Sequence, residues 1–239
     1  MQTLSRVSPV LGGIRNWLRQ GFASRCIFCG AAGAHDGTCL DCLGELPGRN
    51  DERCPVCAIP MPVAELCGEC LRKPPAFRGV LTAASYQFPL DAVIQRLKYG
   101  HDLALVAPLA ALLIGVLAEH ARPDLVVPMP LARARLRERG FNQAAELARW
   151  LTASMGLRLS LDAATRTRET APQAFLPFDE RARNIRNAFA ASSAVAGLHV
   201  AVVDDVLTTG ATLHELAKAL RRAGAREVTG WVLARTPRG

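Results

Sequence analysis

All eight cysteines of the 239-residue chain fall between Cys26 and Cys70, in the order C-x2-C-x9-C-x2-C, an eleven-residue spacer, and then the same order again. Each thiol has a counterpart 28 positions on: Cys26 and Cys54, Cys29 and Cys57, Cys39 and Cys67, Cys42 and Cys70. A single fixed offset marks an internal duplication. Two thiolates two residues apart turn inward on one knuckle, and two knuckles supply the four soft ligands that tetrahedral zinc prefers. The spacing therefore predicts two structural Zn2+ ions paired in tandem, one on Cys26, Cys29, Cys39 and Cys42 and one on Cys54, Cys57, Cys67 and Cys70. The competing disulfide scaffold belongs to secreted chains, and no export segment is visible here, which favours metal in a reducing, cytoplasmic setting. A redox-active C-x-x-C would not need four pairs at equal spacing. Four thiolates leave zinc no open position, so these sites hold the fold and do not hydrolyse. The segment has few large apolar side chains, so metal must provide much of its folding free energy. His35, between two knuckles, is read as a surface residue.

Three segments follow from composition: a basic N-terminal segment that could be helical (1–25), the double zinc ribbon (26–73), and an α/β domain (77–239) after a joint at Lys73, Pro74 and Pro75. Half the chain is apolar, enough for a core, which excludes a disordered or collagen-like polypeptide. The most apolar uncharged run, Leu103 to Ala118, is 16 residues with Pro108 inside it. A membrane-spanning helix needs roughly 20, so the run reads as a buried helix and no membrane span is expected. The second domain alternates strand and helix signals: strand 79–87, helices 89–99 and 103–120, strand 124–128, helices 142–155 and 178–188, strand 198–204, helix 211–223 and strand 227–234. Net charge is +8, and the bases are uneven: residues 131 to 190 hold eleven Arg and six acids, residues 26 to 72 three Arg and seven acids. The basic half could face phosphates.

The most informative stretch of that domain is LHVAVVDDVLTTGATL, Leu198 to Leu213. A β-branched run ends in two acids, and a loop of small residues opens an amphipathic helix. At the carboxyl end of a parallel strand such a loop faces the usual ligand crevice, and the following helix offers backbone N–H groups and a positive dipole end. Thr208, Thr209 and Thr212 add hydroxyls, and Gly210 lets the backbone approach an anion. Asp204 and Asp205 would accept hydrogen bonds from the hydroxyls of a ribose whose 5′-phosphate lies in the loop. A Walker B strand is the rival reading, but neither G-x-x-x-x-G-K-[ST] nor G-x-G-x-x-G occurs. The stretch resembles the phosphoribosyl pyrophosphate signature of type I phosphoribosyltransferases, which implies ligand contacts from Asp204, Asp205, Val206, Leu207, Thr208, Thr209, Gly210, Ala211 and Thr212.

Residues 125 to 150 repeat the design as strand, proline-marked loop, basic loop and a helix capped near Asn142. In the resembled enzymes the equivalent loop holds pyrophosphate, which makes Arg137 and Arg139 candidate anion contacts; a guanidinium fork suits phosphate oxygens. Between the two loops, Thr165 to Phe189 carries Arg166, Arg168, Arg181, Arg183 and Arg186, and could act as a lid or simply cap and pack the sheet. Lys98, in IQRLKYG, is placed at a helix end where the dipole favours a cation.

Taken together, the cysteine array, LKYG, VPMPL with RERGFNQ, T-x-x-Q at Thr170 and Gln173, R-x-x-N at Arg181 and Asn184, and VVDDVLTTGAT resemble the ComF family across residues 26 to 236. The chain departs from the pattern in the proline-bearing stretch Ala171, Pro172 and Phe175 to Pro177. The resemblance implies a phosphoribosyltransferase-like, mainly parallel sheet flanked by helices, and a link to competence, the uptake of single-stranded DNA. Two classes of function stay open. As an enzyme, a glycosyltransferase of pentosyl groups, the protein would bind Mg2+ and phosphoribosyl pyrophosphate, with Asp204 and Asp205 stabilising charge on the ribose while a nucleophile displaces pyrophosphate. As a binding module, it would use the sugar phosphate as a regulatory ligand, hold single-stranded DNA, or dock a helicase or ATPase of the uptake apparatus. Bases could stack on Phe28, Phe77, Phe141 or Phe175.

Overall fold

In a computed structural model, residues 25–168 and 185–237 are described. Strand β1 (Gly79–Ser85) opens the α/β domain, and each cysteine half ahead of it carries one short helix, α1 (Leu40–Gly44) and α2 (Gly68–Arg72). After β1 come α3 (Leu90–Tyr99), a 3-10 turn at Leu103–Leu105 and α4 (Val106–Leu117). Next are β2 (Leu125–Pro128), α5 (Arg133–Arg139) and α6 (Gln143–Met155), then β3 (Ala164–Arg166) and β4 (Phe189–Ala191). The chain ends with β5 (His199–Leu207), α7 (Ala211–Arg222) and β6 (Glu227–Arg235).

The main sheet has four strands in the order β1-β6-β5-β2, all parallel. Near-continuous apolar strands such as His199–Leu207 are what a parallel sheet covered on both faces requires. Strand alternation sorts the side chains. Val200 and Val202 join Leu213, Leu216 and Leu220 of α7 on one face. Ala201 and Val203 join Ile94 and Leu97 of α3, Leu113 of α4, and Leu147 and Leu151 of α6 on the other. Helix α7 approaches the sheet closely because β6 has no side chain at Gly230, where a Cβ would sit 2.6 Å from Leu213 Cδ2. The long helix after β2 thus lies on one face and the helix after β5 on the other, so the two loops diverge and leave a crevice at the carboxyl ends of β2 and β5.

Most expected elements are present, with differences that have local causes. Strand β5 runs on to Leu207 because β6 stays beside it as far as the pair Leu207↔Arg235. The basic loop after β2 contains a helix, α5, which ends at Gly140 in the left-handed conformation (φ 72°). The antiparallel pair β3–β4 has no counterpart in the sequence reading, since three-residue strands carry too little alternation to be read. The N-terminal basic segment to residue 24, and most of the expected helix 178–188 with Thr170, Gln173, Arg181, Arg183 and Asn184, lie outside the described residues.

The ribbons are packed against the α/β domain. Ile27, Phe28, Leu43 and Leu46 of the first half join the core on the α3–α4 face, and Val56 and Ala58 of the second half join the core on the α7 face with Phe77. No helix among the described residues is long and apolar enough to cross a membrane.

Candidate functional site

The four sulfurs of Cys26, Cys29, Cys39 and Cys42 lie within 4.8 Å of one another, and so do those of Cys54, Cys57, Cys67 and Cys70. All eight cysteines are free, and each half forms its own group, in tandem. Zinc–sulfur bonds of about 2.3 Å in a tetrahedron put sulfurs about 3.8 Å apart. The Cys29–Cys39 and Cys57–Cys67 separations, 3.8 and 3.6 Å, fit that geometry. Burial opposes ionisation of Cys26 and Cys54, yet backbone N–H groups of their knuckles outweigh it and lower the thiols to about 6 and about 7. Burial and neighbouring thiols raise Cys42 and Cys70 instead.

At the crevice, β5 continues past the end of β2: Pro128 pairs with Val203, and Asp204 to Leu207 have, among the described residues, only β6 paired beside them. Successive strand residues point to opposite faces, so the two acids diverge. Asp205 turns to the α3 face, where its Oδ1 lies 2.9 Å from Lys98 Nζ, with side chains only 12% and 17% exposed. Burial pulls the Lys98 pKa down, but the Asp205 carboxylate wins and raises it. Asp204 is half-buried, and its Oδ1 accepts the Asp205 backbone N–H at 2.9 Å. Burial and the Asp205 charge push the Asp204 carboxyl up to about 7. Two carboxylates against one ammonium suit a ligand that brings hydroxyl donors or a cation.

Beyond the acids, Val206 and Leu207 belong to the strand, and the turn is formed by Thr208, Thr209 and Gly210. Gly210 caps α7 at φ 80°, a left-handed conformation that favours glycine. Thr209 Oγ1 accepts the Ala211 N–H at 3.2 Å, so the chain itself satisfies one amide of the first turn. Thr208 is exposed, while Thr209, Ala211 and Thr212 are half-buried.

Across the crevice, Arg137 and Arg139 stand in the last turn of α5, not in a loop. Arg137 is exposed; the Arg139 guanidinium lies over the Tyr99 ring, 5.2 Å from its centre. Asn142 caps α6 as expected, accepting the Ala144 N–H at 3.0 Å, and its Nδ2 donates to the Met129 carbonyl. His101 meets Phe141 edge-on at 5.9 Å. The short segment Lys98 to His101 therefore touches β5 through Lys98 and the α5–α6 region through Tyr99 and His101. A cavity of about 730 Å3 opens between the loop after β2 and the β3–β4 pair, with Arg133, Asn142, Thr165 and Arg166 in its wall.

Lys98 stands at a helix end as expected, in the last turn of α3, but sequence reasoning missed its partner, Asp205. The signal was its position four residues after Ile94, on the flank of the buried stripe of α3. Of the candidate stacking aromatics, Phe77 is buried, Phe28 packs into the core, and Phe175 lies outside the described residues.

Two family models match: the double zinc ribbon domain over residues 17–71 and the phosphoribosyl transferase domain over residues 136–239. The DNA utilization protein YhgH of Escherichia coli is 39% identical over 211 residues, 84% of this chain and 92% of that protein. Competence protein F of Haemophilus influenzae is 31% identical over 226 residues, 90% of this chain and 98% of that protein. A solved structure of the allosteric regulatory enzyme of purine biosynthesis is 22% identical, covering 52% of this chain and 24% of that one, with a TM-score of 0.35. With two four-cysteine groups leading into a parallel sheet whose strand β5 carries the acidic pair and opens on the threonine turn, the chain belongs to the ComF family of double zinc ribbon, phosphoribosyltransferase-like proteins.

Proposed function

We propose that the protein binds phosphoribosyl pyrophosphate, or a closely related sugar phosphate, in the crevice at the carboxyl ends of β2 and β5. The observation that carries this reading is the join of β5 to α7: a carboxylate-bearing strand end, a threonine turn with Gly210 in the left-handed conformation, and a twelve-residue helix opening on the turn. The 5′-phosphate would sit at Thr208 to Thr212, and the ribose hydroxyls would donate to Asp204. Asp205 contributes through its pair with Lys98, which fixes the strand end against α3. Arg139, steadied on Tyr99, would face the pyrophosphate. Mg2+ would enter with the ligand on the acidic strand end and neutralise the pyrophosphate charge. The two cysteine groups would each hold one structural zinc.

The names of the relatives support a role in DNA utilization or competence, in which the sugar phosphate is either a substrate or a regulatory ligand. Isothermal calorimetry with zinc-loaded protein tests the reading: phosphoribosyl pyrophosphate with Mg2+ should bind one per chain, and Asp204→Asn should weaken it tenfold or more. Pyrophosphate release with a panel of acceptor bases then separates a transferase from a ligand-regulated module. Absence of binding by the native protein would overturn the proposal.

A further inference from the structure

The two zinc ribbons are duplicates in sequence but not in surroundings. Arg235, at the carboxyl end of β6 and only 3% exposed, spans the second ribbon and the threonine turn. Its Nε donates to the Cys57 carbonyl at 2.9 Å, and its Nη1 donates to the carbonyls of Leu207 at 3.0 Å, Thr236 at 2.7 Å, and Thr208. Cys57 is the second ligand of its knuckle, whose turn is closed by the Ala58 N–H bonding to the Cys54 carbonyl at 2.9 Å. Two further contacts reach α7 and the turn from the chain just after the ribbon. The Ala76 N–H donates to His214 Nδ1 of α7 at 3.0 Å, and the Phe77 ring lies 3.9 Å from where a Cβ on Gly210 would be. The first ribbon rests elsewhere: Gly37 packs against Pro108 of α4, and Ile27 and Phe28 join the core on the α3–α4 face.

We infer that Arg235 is a positioning residue for the threonine turn and that it is anchored by the second metal site, so metal at Cys54, Cys57, Cys67 and Cys70 orders the turn while metal at Cys26, Cys29, Cys39 and Cys42 does not. A buried guanidinium must keep its donors bonded, and the carbonyls it grips are held only as firmly as its fixed end. A four-cysteine knuckle of this size folds on its metal, so loss of the second ion frees the Cys57 carbonyl and with it one end of the brace. The metal thereby acts on the turn at a distance, through one side chain.

Hydrogen exchange of the amides from residue 207 to 213 tests this without any ligand, using Cys70→Ser, Cys42→Ser and Arg235→Met in the full chain, with zinc content measured for each. Cys70→Ser should speed exchange of those amides tenfold or more and leave Val200 to Val203 of β5 unchanged; Cys42→Ser should change them less than twofold. Arg235→Met should match Cys70→Ser while keeping two zinc ions per chain, and Arg235→Lys should recover part of the protection. Equal effects from the two cysteine variants, or native exchange in Arg235→Met, would overturn the inference; the latter arm stands even where Cys70→Ser does not fold. A ligand arm rests on the proposed function: affinity for phosphoribosyl pyrophosphate should fall tenfold in Arg235→Met. If the native protein binds none while exchange follows the expected pattern, the function fails and the brace stands.

Discussion

Replacing Lys98 with methionine nearly keeps the length of the side chain and removes the charge facing Asp205. At 2.9 Å and an effective dielectric of about 20, the attraction between the two groups is roughly 6 kcal/mol. Most of it offsets the cost of taking both charges out of water, so the intact pair adds little net stability. Breaking it is different, because the remaining charge stays buried. With side chains 17% and 12% exposed, water reaches both ions slightly, and the loss falls at the low end of the buried-pair range, about 3 kcal/mol. Lys98→Met and Asp205→Asn should each cost about 3 kcal/mol by urea denaturation, whereas the double variant, with no charge left unpaired, should cost clearly less than their sum. A coupling energy of at least about 2 kcal/mol is expected. Single variants each within about 0.5 kcal/mol of native, with additive effects, would refute the buried pair.

Other outcomes follow from the same geometry. With Asp204 at about 7, a ligand that needs its carboxylate should bind about tenfold more tightly at pH 8 than at pH 6, and Asp204→Asn should flatten that dependence in calorimetry. Stability runs the other way: a folded-state carboxyl above its unfolded value of about 3.9 loses stability as pH rises from about 4 to 7, and urea denaturation of Asp204→Asn should lack that slope. Gly210→Ala forces a Cβ into φ 80° and should cost about 1–2 kcal/mol in thermal unfolding, without a clash, since Phe77 is 3.9 Å away. Gly230→Ala meets Leu213 at 2.6 Å and should cost about 1–3 kcal/mol while shifting α7 off the sheet; an unchanged Tm would contradict the close approach.

The cysteine spacing and the strand–acid–threonine pattern are legible because each is local: ligands at fixed offsets, and a period that switches from strand to helix within sixteen residues, Leu198 to Leu213. Tandem pairing, the parallel sheet and the Asn142 cap follow from such patterns. What escapes depends on contacts far apart in the chain. Lys98 meets Asp205 across more than a hundred positions, and Arg235 reaches Cys57 across 178. Asp204 and Asp205 read as a pair, but β6 keeps them in a strand whose alternation turns them apart. Arg137 and Arg139 read as loop residues because the seven-residue α5 is too short to show a period. The resemblance to ComF predicts the overall architecture; the ties between ribbon and turn need the fold.

The central claim is that the turn between β5 and α7 receives the phosphate of a phosphoribosyl ligand. A crystal structure of the zinc-loaded protein with phosphoribosyl pyrophosphate and Mg2+ locates the phosphorus atoms directly. The 5′-phosphate should lie within hydrogen-bond distance of the backbone of Thr208 to Thr212, with a ribose hydroxyl on Asp204. A ligand bound elsewhere, with that turn empty and Asp204 untouched, would contradict the account.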